Sequence, residues 1–307
     1  MIAALLGLAT LLQQAPPRAM AITVDDLPVV SVLPRSVAQQ ETLTVRLLAG
    51  LARHRAPAAA FINEGKLYGA DGALDPRRVA LLEAGRAAGH ELGNHTYSHP
   101  DLHRAALADF QADLLKGEQV TRALLARHGQ APRYFRHPFL HTGRSLEVRD
   151  SLLGFLAAHG YTVAPVTIDN GEYLYAAAYD RARARGDSAT VERIRGDYLR
   201  YMVEVTAFYE DQARLIVGRE FPQVLLLHAN WLNADLLDPL LTLFEQRGYR
   251  FVPLAHALAD PAYQSPDRYT GPAGLTWLHR WAITRDLPRG IFRGEPEVPD
   301  WIQAAAR

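Results

Sequence analysis

Seven short apolar segments recur along this chain, at 20–26, 58–64, 90–95, 134–139, 162–169, 224–229 and 250–253, rich in β-branched, aromatic or other apolar residues. Between them lie stretches of helical period, clearest at 41–55, 76–88, 105–128, 146–159 and 234–247. Gly89, Gly129, Gly160 and Gly248 follow four of these stretches, where glycine supplies the left-handed residue that stops a helix. Repeated strand–helix alternation predicts parallel strands covered by helices. The run Val224-Leu225-Leu226-Leu227 is apolar throughout, as a strand buried on both faces should be. The predicted fold class is therefore α/β, a distorted seven-stranded (β/α) barrel of parallel strands, one short of the common eight. An open doubly wound sheet is the alternative.

A chain of 307 residues suits one large domain with an extension. The barrel is expected over 18–258, interrupted at 170–222 by a helical insertion. That insertion should break into two helices at Gly186-Asp187-Ser188, where Asp187 or Ser188 can cap the second. Tyr198, Tyr201, Val205 and Phe208 share one helical face; they are expected to pack onto the barrel, the alternative being a sugar-binding platform. Residues 259–307, with Trp277, Trp281 and Trp301, are expected to wrap the barrel as a C-terminal extension.

The first twelve residues are apolar, too short a run to span a bilayer, which takes roughly 20. Residues 1–17 resemble a signal peptide that lacks its positive n-region, and predict export to the periplasm or beyond; without a signal the chain is cytoplasmic. With 33 basic and 33 acidic residues, the balance favours neither nucleic acid nor an anionic membrane as partner. The sequence holds no cysteine, so a metal site here must be built from histidines and carboxylates.

The ends of the predicted strands carry the chemistry. The first ends in Asp25-Asp26, the third runs into His95-Thr96-Tyr97-Ser98-His99-Pro100, and the fourth ends in Arg136-His137-Pro138-Phe139. The fifth ends in Asp169, with Glu172 and Tyr173 just beyond, and the sixth in Leu226-Leu227-His228. In a parallel barrel these ends meet on one face, where active sites are built. His95 and His99, four apart, can face the same way on a helical turn and bind one ion, and a carboxylate completes a two-histidine, one-carboxylate set that leaves positions open. Two adjacent aspartates suit two tasks, one as ligand and one as general base, because a cation lowers the proton affinity of the residue that binds it. Arg136 can pair bidentately with a carboxylate, and His228 can protonate a leaving group, its tautomer fixed by Asp169 or Glu172.

This pattern resembles the polysaccharide deacetylase family, also called the NodB-homology domain or carbohydrate esterase family 4, over roughly 20–258. Five motifs follow in the family's order: Thr23-Val24-Asp25-Asp26, His95-Thr96-Tyr97-Ser98-His99-Pro100, Arg136-His137-Pro138-Phe139, Asp169-Asn170-Gly171-Glu172-Tyr173 and Leu226-Leu227-His228. The resemblance implies a general base at Asp25 and a general acid at His228. It implies one divalent ion on Asp26, His95 and His99, usually zinc, with cobalt, iron or nickel as alternatives. It further implies that Arg136 positions Asp25, that the backbone N–H at Phe139 steadies the oxyanion, and that Pro138 and Phe139 shape the acetyl pocket. The fourth motif, Asp169 with Glu172 and Tyr173, would tune His228 and wall the substrate site beside Leu226. It departs from the family, with glutamate for aspartate at 172 and tyrosine for tryptophan at 173, which leaves open which carboxylate meets His228.

The implied activity is hydrolysis of acetyl groups, on nitrogen or on oxygen, from a polysaccharide or oligosaccharide. Two rivals remain at this stage: a hydrolase of non-sugar amides, and a non-catalytic carbohydrate-binding protein on the same fold. A binding module needs none of Asp25, Asp26, His95, His99 and His228, which weighs against the second.

Overall fold

The computed structural model describes residues 18–307, so the expected signal segment at 1–17 lies outside the described residues. Seven strands form one sheet: β1 (Arg18–Leu27), β2 (Ala58–Ile62), β3 (Glu91–Asn94), β4 (Tyr134–Phe135), β5 (Thr162–Val163), β6 (Gln223–His228) and β7 (Tyr249–Phe251). The order is β5-β4-β3-β2-β1-β6, and every pairing is parallel. The outer members then meet. Ile168 bridges Leu225; Thr167 N and Ile168 N both donate to Val224 O, and Leu226 N donates to Ile168 O. That seam curls the sheet into a distorted barrel.

The seventh strand departs from the expected ring. Met20 pairs with Gln223 of β6 and with Phe251 of β7, so β7 lies on the flank that β2 takes from Ile22 onward. It extends the N-terminal end of the barrel and closes no gap near the strand C-termini. β1 is the buried axis, with Ala19 to Asp25 all shielded from solvent, as a strand with neighbours on both edges and helices outside should be.

The helices are α1 (Val37–Arg53), α2 (Pro76–Ala87), α3 (Leu107–Lys116), α4 (Gln119–Ala126), α5 (Leu146–Ala158), α6 (Glu172–Ala184), α7 (Ser188–Val217), α8 (Trp231–Gln246), α9 (Leu254–Leu258), α10 (Trp277–Thr284) and α11 (Asp300–Ala305). Among the described residues, no helix is long and apolar enough to cross a membrane. Gly89, Gly129, Gly160 and Gly248 all take positive φ, as expected of helix stops. Asp187 caps α7, its side chain accepting from Thr190 N at 3.0 Å.

The 105–128 stretch, expected as one helix, is two. Gly117 lies against the 96–97 backbone so closely that a Cβ there would overlap the carbonyl carbon of Thr96 and the nitrogen of Tyr97. α4 then restarts with its first amides capped from a distance: Val120 N and Thr121 N both donate to the buried Glu64 carboxylate.

One apolar cluster joins β1 and β6 to α1, α6, α7, α8, α10 and α11. Tyr198, Tyr201 and Val205 are buried in it and Phe208 packs against it, so the aromatic stripe of α7 is core. Trp277, Leu278, Trp281 and Ile302 from the C-terminal stretch belong to the same cluster. Each such buried side chain stabilises the fold by about 1.5–3 kcal/mol relative to exposure.

Candidate active site and metal centre

The C-terminal ends of the strands converge as a parallel barrel requires. The β1–β6 ladder runs in register through Thr23–Leu226 to Asp25–His228, which sets these two side chains next to each other at its end. Two further hydrogen bonds extend the ladders past β3: His95 N donates to Ile62 O and Arg136 N to Asn94 O. They deliver His95 and Arg136 to the same face. A cavity of about 460 Å³ opens there, lined by Asp25, Asp26, His95, His99, Phe139, Asp169, Tyr173, Leu226 and His228 together with His137, Leu140, Asn170 and Gly274. Phe139 and Tyr173, 54% and 59% exposed, stand at its mouth as large apolar faces open to solvent.

Asp26, His95 and His99 each offer a ligand atom within 4.8 Å of the others. Their backbone is unusual. Of seven non-glycine residues with positive φ among the described residues, five are here: Asp26, Thr96, His99, Phe139 and Leu140. L-residues occupy that region at a cost of order 1–3 kcal/mol each, so the surrounding contacts must impose it. The His95–His99 segment is accordingly a strained loop and not the helical turn expected from the spacing. Asn94 Oδ1 accepts from Thr96 N at 2.7 Å, and Asp113 Oδ1 accepts from Tyr97 N and Ser98 N at 2.9 and 3.0 Å.

These residues fit a divalent cation on a specific observation. His95 Nδ1 meets the carbonyl oxygen of Arg136 at 2.8 Å; that oxygen only accepts, so Nδ1 carries the proton and the Nε2 lone pair is left free. Burial holds His95 and His99 below the ordinary histidine range, keeping the imidazoles neutral as ligands must be. Burial also works against the charge of Asp26, but Lys66 and the histidines around it outweigh that and hold its carboxyl well below the usual range. Lys66 Nζ lies 3.2 Å from Asp26 Oδ1 and donates to Asp26 O at 3.0 Å, pinning both the side chain and its left-handed backbone.

Asp25 differs from its neighbour. Burial pushes its carboxyl up to about 6, against the pull of Arg136 and His228, and its Oδ1 has no hydrogen-bond partner. Arg136 is fully buried, but it does not grip Asp25 bidentately as expected. Arg136 Nε stays 3.9 Å from Asp25 Oδ1, while NH2 donates to Thr23 Oγ1 at 2.8 Å and the guanidinium lies 4.8 Å from the Phe61 ring centre. Thr23 Oγ1 spends its own proton on Leu225 O, so the arginine is aimed from β1 itself.

The question of which carboxylate meets His228 is settled by geometry. His228 Nδ1 lies 2.7 Å from Glu172 Oε2. The other oxygen of Glu172 accepts from Asn233 Nδ2 at 2.8 Å and from Asn230 Nδ2. Tyr198 of α7 donates to Asn233 Oδ1 at 2.7 Å, so the long connection buttresses this network. Glu172 is buried beneath His228 and does not line the cavity, whereas Asp169 does. Asp169 accepts from Asn170 N, and burial raises it to about 6. Burial opposes the charge of His228, yet the Glu172 hydrogen bond and charge, with Asp26 and Asp25, bring it up to about 9. Pro138 is buried and forms no part of the cavity surface.

Residues 13–164 match the family profile described as polysaccharide deacetylase. The chain belongs to the polysaccharide deacetylase family. Among curated proteins, this family member is 29% identical over 163 residues to a chitin deacetylase of Colletotrichum lindemuthianum, covering 53% of this chain and 56% of that protein. It is 33% identical over 93 residues to a chitooligosaccharide deacetylase of Sinorhizobium fredii, covering 29% of this chain and 40% of that one. The chain spans about half the length of the curated relatives it matches. Among solved structures, a peptidoglycan deacetylase of Bacillus subtilis aligns at TM-score 0.47 and 18% identity over 78% of this chain and 89% of that one. A family pseudoenzyme from Bacillus anthracis aligns at TM-score 0.46 and 14% identity, covering 79% of this chain and 66% of that one.

Proposed function

We propose that this chain is a metal-dependent hydrolase that removes acetyl groups from an N-acetylated carbohydrate. The observation that carries the reading is the joint lining of one cavity by Asp25, Asp26, His95, His99 and His228. The chitin and chitooligosaccharide deacetylases among its relatives supply the substrate class.

Asp26, His95 and His99 would hold the cation, zinc being the ion that suits two imidazoles and a carboxylate. When bound, it supplies Lewis-acid polarisation of the acetyl carbonyl and lowers the pKa of water. Asp25 takes the proton from the attacking water: its Oδ1 is an unused acceptor, and a base near 6 is ionised at neutral pH yet still able to accept a proton. Arg136, close but not paired, keeps the carboxylate charged without saturating it. His228 gives a proton to the leaving nitrogen; the buried glutamate behind it holds Nδ1, so Nε2 faces the cavity. Leu226 and Phe139 bound the space for the acetyl methyl, and Tyr173 offers a face for a sugar ring.

The test is acetate release from N-acetylglucosamine oligomers by the full chain, before and after chelation and after zinc is restored. Release that falls with chelation and returns with zinc supports the reading. A purified, folded, zinc-loaded protein that binds the oligomers but releases no acetate would establish the non-catalytic alternative.

A further inference from the structure

A second group of metal-ligating side chains lies beside the first and takes no part in the proposed reaction. Asp101, His103 and His141 each place one ligand atom within 4.8 Å of the others. The two imidazoles stack with centroids 3.8 Å apart and planes 7° from parallel. His141 Nδ1 lies 2.6 Å from Asp101 Oδ1, which also accepts from His103 N at 2.8 Å. His103 Nδ1 is buried and has no hydrogen-bond partner. A buried ring nitrogen left without a partner, beside a second imidazole and a carboxylate, is an unmet polar group that a cation would satisfy.

We propose that Asp101, His103 and His141 form a second site for a divalent transition-metal ion. Two imidazoles and one carboxylate select zinc, cobalt, nickel or copper over magnesium or calcium, which prefer all-oxygen shells. Ligand atoms around one tetrahedral zinc stand about 3.3 Å apart. The three residues are half-buried, so rotation of the two rings out of their stack can close the difference. The competing charges are weak: Arg104 Nε lies 3.4 Å from Asp101 Oδ2 and Arg144 opposes positive charge on His103, but both arginines are exposed to water, where such interactions are worth little.

The site's place in the fold gives it a consequence. Asp101 follows the His95–His99 loop, and His141 follows Phe139 and Leu140, which wall the cavity. The Phe139 ring lies 4.5 Å from the His99 ring and 5.7 Å from the His141 ring, centre to centre. An ion on Asp101 and His141 would tie together two segments that carry three of the left-handed residues, His99, Phe139 and Leu140. It would thereby fix the cavity wall without touching substrate.

The experiment is equilibrium dialysis of the full chain against zinc chloride, with bound metal counted by elemental analysis and folding checked by thermal unfolding. Wild type should hold two ions per chain at saturation, and a His103→Gln, His141→Gln variant one. Asp101→Asn, a smaller change, should weaken binding of one of the two ions at least tenfold. Zinc should still raise the melting temperature of His95→Ala, and should lose that effect when His103→Gln and His141→Gln are added. One ion in saturated wild type that the folded double variant keeps, or two in the folded double variant, would overturn the proposal. Failure of the first centre is separable: there wild type holds one ion, which His95→Ala keeps and the double variant loses.

Discussion

Glu172, and not Asp169, is the carboxylate that touches His228, at 2.7 Å from its Nδ1. Glu172 opens α6 and is buried, its second oxygen held by Asn230 and Asn233 at the start of α8. The imidazole at the end of β6 is therefore oriented by side chains from the starts of two helices, none of which lines the cavity.

Replacing that carboxylate should move the alkaline limb of the pH profile. Burial alone would lower His228; the Glu172 charge, with Asp26 and Asp25, raises it to about 9. A catalytic proton on His228 is then present below about 9 and lost above it. In Glu172→Gln the opposing burial wins, and the limb should fall by more than one pH unit, with activity at pH 8 suffering more than at pH 6. The same sign applies to stability: the raised His228 stabilises the fold fully below its unfolded value of about 6.5 and loses that contribution as pH rises through about 9. An unmoved limb in a rate profile of Glu172→Gln would remove His228 as the acid.

Gly117→Ala should disturb the metal loop from behind. The added methyl overlaps backbone atoms of Thr96 and Tyr97, which cannot swing aside as a side chain would. The expected cost is about 1–3 kcal/mol of stability, with zinc affinity falling alongside. Urea denaturation and a competitive chelator titration read the two effects separately.

Gly274→Ala should separate substrate from metal. A Cβ at Gly274 would overlap the carbonyl oxygen of Phe139 and press on Leu140, neither of which is a candidate ligand of the first centre. Acetate release should fall while zinc at the Asp26 centre stays stoichiometric. Loss of that zinc in this variant would show that the C-terminal stretch reaches further into the centre than the contact implies.

Trp281→Ala tests whether the C-terminal stretch is integral to the core. Its indole is fully buried against Phe221 and Tyr263. Truncation should cost about 3–5 kcal/mol, seen as a lowered urea midpoint. A loss under about 1 kcal/mol would mean that 259–307 is only loosely attached.

The strand ends were legible because Asp25-Asp26, His95, Arg136, Asp169 and His228 each follow a short apolar run, and a parallel sheet gathers such ends by construction. The break before α7 was legible because Gly186 and Asp187 signal it locally. What escaped was set by tertiary contact. Gly117 divides α3 from α4 because of a loop about 20 residues upstream. β4 and β5 are two residues each, against the longer runs expected, because the chain turns at Pro138 and later crosses to β6. Asn230, Asn233 and Gly274 carried no motif, and His137 sat inside one without an assigned role. Lys66 did carry a signal: it and Lys116 are the sequence's only lysines, and while Lys66 holds Asp26, Lys116 stands 3.7 Å over the Tyr97 ring in the His95–His99 loop.

A crystal structure of the zinc-saturated chain, with the ion located by its anomalous scattering, tests the central claim most directly. The account predicts zinc bonded to His95 Nε2, His99 Nε2 and a carboxylate oxygen of Asp26 at about 2.0–2.2 Å, with Asp25 and His228 facing it across the cavity. Zinc absent from that position at saturation, or held there by other residues, would contradict it.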